Sequence, residues 1–305
     1  FYHASNQWNE LIDYYCINYS QDTTQKKFLQ QAVDIGLSTG SEDSLLKQLS
    51  LLMDKYPFNT FIISVYVQVS FQQQLYDLTR KGLISLIKLN NENVGLKLQL
   101  AEVYLLLDQP DKTFEILDEI YYDNSDNQLL LTLLTITFSE LEDYNRLVEI
   151  SEQYIKIYPD SVDGYENLTI AYMNLKKYQE LLDISSLGEI KFPDNITFPY
   201  FMGITYLTMK DFESANREFL KSLKISPENR VIRHSLLTVY EELEEYQSSD
   251  SLFEILFSED ENDATSLNNY AYSLSDREII NETILTYALG LATKAIGLDP
   301  ENSAF

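Results

Sequence analysis

Five of the seven prolines in this chain fall on one period. Pro159, Pro193 and Pro227 are 34 residues apart, Pro57 lies three such periods before Pro159, and Pro300 lies five residues beyond two further periods. Proline cannot continue a helix, so each recurrence marks the same kind of stop. A fixed spacing of this length means one supersecondary unit used again and again.

Other positions hold the register. Counting from residues 26, 60, 94, 128, 162, 196, 230 and 264, the eleventh position reads Gly36, Ser70, Tyr104, Phe138, Tyr172, Tyr206, Tyr240 and Leu274. The seventeenth is aromatic at Tyr76, Tyr144, Tyr178, Phe212 and Tyr246, with Trp8 in phase upstream and Glu42 and Pro110 as departures. Apolar residues recur at helical spacing between the breaks, and 9 Gly and 7 Pro in 305 residues are too few for the turns of an all-β chain. The reading is all-α.

The pattern resembles the tetratricopeptide repeat, with W-x2-L-G-x2-Y, then A-x3-F, then P. Residues 200–229 carry it nearly whole, as Met202, Gly203, Tyr206, Ala215, Phe219 and Pro227, and residues 267–274 and 288–302 carry it again. The resemblance implies a right-handed superhelical solenoid of antiparallel helix pairs, one domain over residues 1–305, with eight repeats and a partial one over residues 1–25. The small eighth position (Ala101, Gly203, Ala271) should face the twentieth (Ala215, Ala288), letting the two helices approach. Leu45, Leu147, Leu181 and Leu237 break that rule and require repacking. Trp8 to Thr24 reads as the second helix of an upstream repeat, and the closing "NSAF" as the opening of another first helix, so a segment of a longer chain is expected. The five extra residues fall in 275–283, in the turn of the last pair.

In the family, first helices line a concave groove through positions 2, 5, 6, 9, 12 and 13. The partner-binding residues expected there are Gln68, Gln72, Glu102, Asp163, Glu166, Asn167, Tyr200, His234, Glu241, Glu242, Asn268 and Asn269. Asp34, Glu140, Asp276, Gln30, Gln99 and Asn174 share those positions, Phe61, Phe71 and Phe201 add apolar anchors, and Lys27 is the one base among them. Such a lining lacks the lysines and arginines with which chaperone adaptors of the family clamp an acidic C-terminus. It suits a basic or neutral protein segment.

A formal charge of −26 repels nucleic acid phosphates and anionic head groups. It argues against an RNA-binding repeat of the pentatricopeptide type. Residues 234–276 contain no Lys or Arg, and ten acids lie in 240–264. No stretch approaches the ~18 apolar residues of a membrane span. With two histidines, one cysteine and no phosphate loop or nucleophile elbow, no catalytic constellation, metal site or cofactor is expected. The acidic "SEDENDATS" lacks the ligand spacing of an EF-hand, and the sequons at Asn18, Asn167, Asn195 and Asn281 carry no weight. The expected role is a non-enzymatic interaction scaffold, with a spacer array for a catalytic domain elsewhere as the alternative. The phrases "LNNYAYSLS" and "DPENSAF" look most like bacterial repeat proteins that assemble envelope complexes, which favours a periplasmic or outer-membrane-associated location over cytoplasm.

Overall fold

The computed structural model describes residues 2–277 and 281–300, with side chains from Gln7 onward, and all regular structure among them is helical. The chain divides into two compact units, Phe1–Tyr158 and Pro159–Phe305. The first unit holds α1 (Tyr2–Gln21), α2 (Lys26–Thr39), α3 (Glu42–Lys55), α4 (Thr60–Gln72), α5 (Tyr76–Leu89), α6 (Val94–Leu106), α7 (Pro110–Tyr121), α8 (Gln128–Glu140) and α9 (Tyr144–Ile157). The second holds α10 (Val162–Asn174), α11 (Tyr178–Lys191), α12 (Thr197–Thr208), α13 (Phe212–Ile225), α14 (Arg230–Glu242), α15 (Tyr246–Glu259), α16 (Ala264–Ser275) and α17 (Glu282–Leu298). Within each unit, consecutive helices pack as pairs and each pair packs on the next. This is the stacking of a helical solenoid.

Three recurring local devices build the period. Asn59, Asn93, Asn127, Asn229 and Asp263 stand one residue before a first helix, and each side chain accepts one or two N–H bonds from its first turn. At the other end of each first helix from α2 to α14 one residue turns left-handed: Gly40, Gln74, Asp108, Glu142, Lys176, Lys210 and Glu244, with φ from 54 to 71°. The following N–H then reaches back five residues, as Ser41 does to the Gly36 carbonyl and Asp211 to that of Tyr206, both at 2.9 Å. Finally, Tyr56, Tyr158, Phe192 and Ser226 precede the periodic prolines and leave the helical region, with φ between −121 and −130° and ψ of 65 to 83°.

The departures at position 17 also have a local reason. That position is the first residue of every second helix from α3 to α15, and Pro110 suits it because a first-turn N–H has no intrahelical partner. First helices α4, α6, α8 and α12 are apolar nearly all round because neighbours press on them from several sides, whereas second helices keep one wet face.

Glycines mark the close approaches. A Cβ on Gly203 would stand 2.7 Å from Cδ1 and Cε1 of Phe219, so the ring at position 24, rather than Ala215, is what the glycine admits. Position 20 does lie beside the eighth, since the Thr113 hydroxyl donates to the Ala101 carbonyl at 3.1 Å. Leu45 is accommodated by a glycine on the facing helix, Gly36, whose Cβ would meet it at 2.8 Å. The core of the second unit runs through Phe219, Phe253, Leu256, Leu267 and Tyr270, with the Phe253 and Tyr270 rings stacked at 4.4 Å.

α1 begins at Tyr2, not at Trp8, and continues through Asn6, the residue in phase with the left-handed turns. Nothing in "YHASNQW" interrupts it, and α1 packs on α2 and α3. The extra residues of 275–283 fall between α16 and α17, with 278–280 outside the described residues, as is "NSAF".

Candidate partner-binding face

In the first unit, Gln68 and Gln72 are exposed on α4, and Glu102 is half-buried on α6. Gln68 and Glu102 meet at one cavity of about 450 Å³ with Gln99, Ser64 and Phe71 at its rim and Leu83, Leu86 and Val103 deeper in. Gln72 is apart from it. In the second unit, Asp163 accepts the Ser161 hydroxyl at 2.7 Å. Glu166 accepts the Asn195 amide and the Thr197 hydroxyl, both at 2.8 Å, which ties α10 to the start of α12. Asn167 is half-buried beside it. Tyr200 packs on the rings of Phe201 and Phe219, at 5.5 and 6.2 Å between centroids.

Glu241 joins three helices, taking the hydroxyls of Ser249 on α15 and of Ser273 on α16, the latter at 2.8 Å. Its carboxylate is thus occupied by the fold, while Glu242 next to it is exposed at the end of α14. Asn268 lines a shallow hollow with Ala271, Tyr272, Leu285 and Leu289, and Asn269 is exposed on the same helix.

Bases on the first helices are mostly neutralised. Lys97 pairs with Glu119 at 2.9 Å, Arg230 with Asp263, and buried Arg233 with Glu259. Lys26 and Lys27 lie over the rings of Phe61 and Phe28 at 4.8 and 5.1 Å. The acidic stretch after His234 is bracketed by bases that reach into it, because Arg277 also pairs with Asp250. Burial pushes the imidazole of His234 below its ordinary value, with Asp263 opposing and Arg230 adding to the effect. Burial alone would raise the Asp263 carboxyl, but bonds from Ser266 and the charge of Arg230 hold it below the usual range.

What the sequence reading missed is which acids are free. Glu166 and Glu241 look like Glu102 in sequence, yet all but one of their partners come from 29 to 32 residues away, the exception being Ser249, eight residues from Glu241. The one available signal was the polar residue at the end of each period, among them Asn195, whose side chain accepts the Thr197 N–H at the start of α12 and donates to Glu166. Among the described residues, no group of three or more His, Cys, Asp or Glu is arranged to hold a metal ion, and no helix is long and apolar enough to cross a membrane.

No protein-family model matches this chain, and no curated protein matches it by sequence. Solved structures do match. It is similar to a tetratricopeptide repeat protein from Parabacteroides merdae, with 14% identity over 88% of this chain and 98% of that one at a TM-score of 0.56. It is similar to PilF of Pseudomonas aeruginosa, with 14% identity over 68% of this chain and 91% of that one at 0.54. A third likeness is to the Cut9–Hcn1 hetero-tetramer of the APC/C, with 11% identity and a TM-score of 0.51, where 92% of this chain spans about half, 54%, of the other. The helices, their period and these likenesses together establish that the chain has the tetratricopeptide-repeat fold.

Proposed function

We propose that this chain is a non-enzymatic protein–protein interaction scaffold whose first-helix faces hold a basic or neutral segment of a partner protein. The observation that carries the reading is the charge state of those faces. They present Asp34, Glu102, Glu140 and Glu242 with Gln68, Gln72, Gln99, Asn174 and Asn269, while Lys97, Arg230 and Arg233 are consumed in ion pairs. Amides offer backbone-like hydrogen bonds to an extended chain, and unpaired acids select against an acidic one. The fold supports the reading because, within each unit, stacked helix pairs set successive first helices side by side. The Cut9–Hcn1 likeness, itself an assembly of two proteins, agrees with it. Assembly of a bacterial envelope complex, the setting implied by the sequence phrases, belongs to the same proposal and is tested by fractionating source cells with an antibody.

The direct test is an affinity pull-down at low and high salt, comparing the wild type with a variant carrying Asp34→Asn, Glu140→Gln and Glu242→Gln. All three acids are exposed, so the fold is left intact. A partner retained at low salt and lost both at high salt and in the triple variant supports the acidic-face reading. Retention by the triple variant at wild-type strength overturns it.

A further inference from the structure

Of the half-buried acids on first helices, Asp163, Glu166 and Glu241 each accept at least one hydrogen bond from within the protein. Glu102 differs: among the described residues it has neither a hydrogen bond nor an ion pair. It is also the single charged residue lining the cavity between α4, α5 and α6. The nearest base on its own helix, Lys97, is held by Glu119. A half-buried carboxylate with no partner inside the protein, set at the edge of an otherwise uncharged cavity, leaves a negative charge for an arriving cation to pair with.

We infer that this cavity is a socket for one basic side chain, an arginine or lysine of a partner protein. The inference rests on the scaffold reading above and deepens it by naming the anchor. Val67, Leu83, Leu86, Leu96 and Val103 supply the apolar wall against which a methylene stem lies, and Glu102 receives the charged head. Gln68 and Gln99 bring amide oxygens to the same mouth for the remaining N–H donors, and Phe71, 40% exposed, offers a ring face to the cation. The deep hydroxyl of Thr79 is already bonded to Ser70 at 3.0 Å, so the polar recognition is confined to the mouth. A volume of about 450 Å³ admits one long side chain and falls within the roughly 300–1,000 Å³ of ligand pockets. An anionic group is repelled by Glu102, and a purely apolar one leaves its charge unanswered at the mouth.

The test begins with a phage-displayed dodecapeptide library selected on the intact chain, followed by fluorescence-anisotropy titration of the tightest synthetic peptide. The expected consensus holds one Arg or Lys. Glu102→Gln is expected to weaken that peptide about tenfold, replacing its basic residue with norleucine to weaken it equally, and the two changes together to weaken it no further. Ser64→Tyr, at the exposed rim, narrows the mouth and is a second variant should Glu102→Gln melt differently from wild type. A consensus without a base, or peptide binding within twofold of wild type in both variants, overturns the socket while leaving the scaffold reading intact. Displacement of the peptide by millimolar n-butylamine as readily as by free peptide also overturns it, making the cavity a small-amine site. Failure to select any peptide removes the scaffold reading and the socket with it.

Discussion

Gly203→Ala and Gly290→Ala are the same substitution in helices of the same unit, and the packing predicts opposite signs. At Gly203 the new methyl would meet Cδ1 and Cε1 of Phe219 at 2.7 Å and Cγ at 3.1 Å, against the ~3.5–4.0 Å of relaxed carbon contacts. The ring cannot swing out, being fully buried and packed on Tyr200. Overpacking of this kind costs about 1–3 kcal/mol, and relief of the glycine's chain entropy returns about 0.5–1 kcal/mol, so a net loss of up to about 2.5 kcal/mol is expected. At Gly290 nothing lies within 4 Å of the added carbon, and only the gain of about 0.5–1 kcal/mol remains. Because stacked repeats need not unfold in one step, the assay is native-state hydrogen exchange on the amides of α12 and α13 for the first variant and α17 for the second, alongside urea titration. Adding Phe219→Leu to Gly203→Ala should cost less than Phe219→Leu alone. Gly203→Ala stabilising the chain as much as Gly290→Ala would refute the packing argument.

Three further outcomes follow from the geometry. Lys210 sits at φ 61°, so Lys210→Gly should raise the stability of the α12–α13 pair by about 1 kcal/mol and Gly40→Ala should lower that of α2–α3 by a similar amount, read by urea titration. Cys16 is 2% exposed and its thiol is pushed up to about 12 from 9.0, first by burial and then by Asp13, which cuts its thiolate about a thousandfold; iodoacetamide should label it only after denaturation, and rapid labelling of the native chain would contradict its placement. His234 is held below its ordinary 6.5, so the folded state binds fewer protons than the unfolded state just below that pH. Its contribution is complete above 6.5 and is lost as pH falls through the folded value, and Asp263, held below 3.8, adds a second loss further down. Melting of the second unit followed against pH should show the upper step in wild type and lose it in His234→Gln.

The sequence announced the architecture because its devices are local and repeated: a proline, a glycine and an aromatic each read out on their own helix. Left-handed residues escaped notice because six of the seven are not glycine, and Gln74, Glu142 or Lys210 carry no sign of their φ except their place in the period. Side-chain destinations were less legible still. Glu102 and Glu241 both read as groove acids, but one lines a cavity and the other binds two serines, one of them 32 residues ahead. That difference is set by what the neighbouring repeat places opposite, which a position-by-position reading does not weigh. The eighth position shows the same limit: the small residue was evident, but the ring it admits comes from a second helix four residues beyond the expected alanine.

The central claim is that partners bind on the first-helix faces, and the most direct measurement is hydrogen–deuterium exchange of the chain alone and in complex with the protein recovered by pull-down. The account predicts new protection concentrated on α4, α6 and α8 or on α12, α14 and α16. Protection confined to second helices, around exposed Leu51, Leu187 or Ile190, would contradict it.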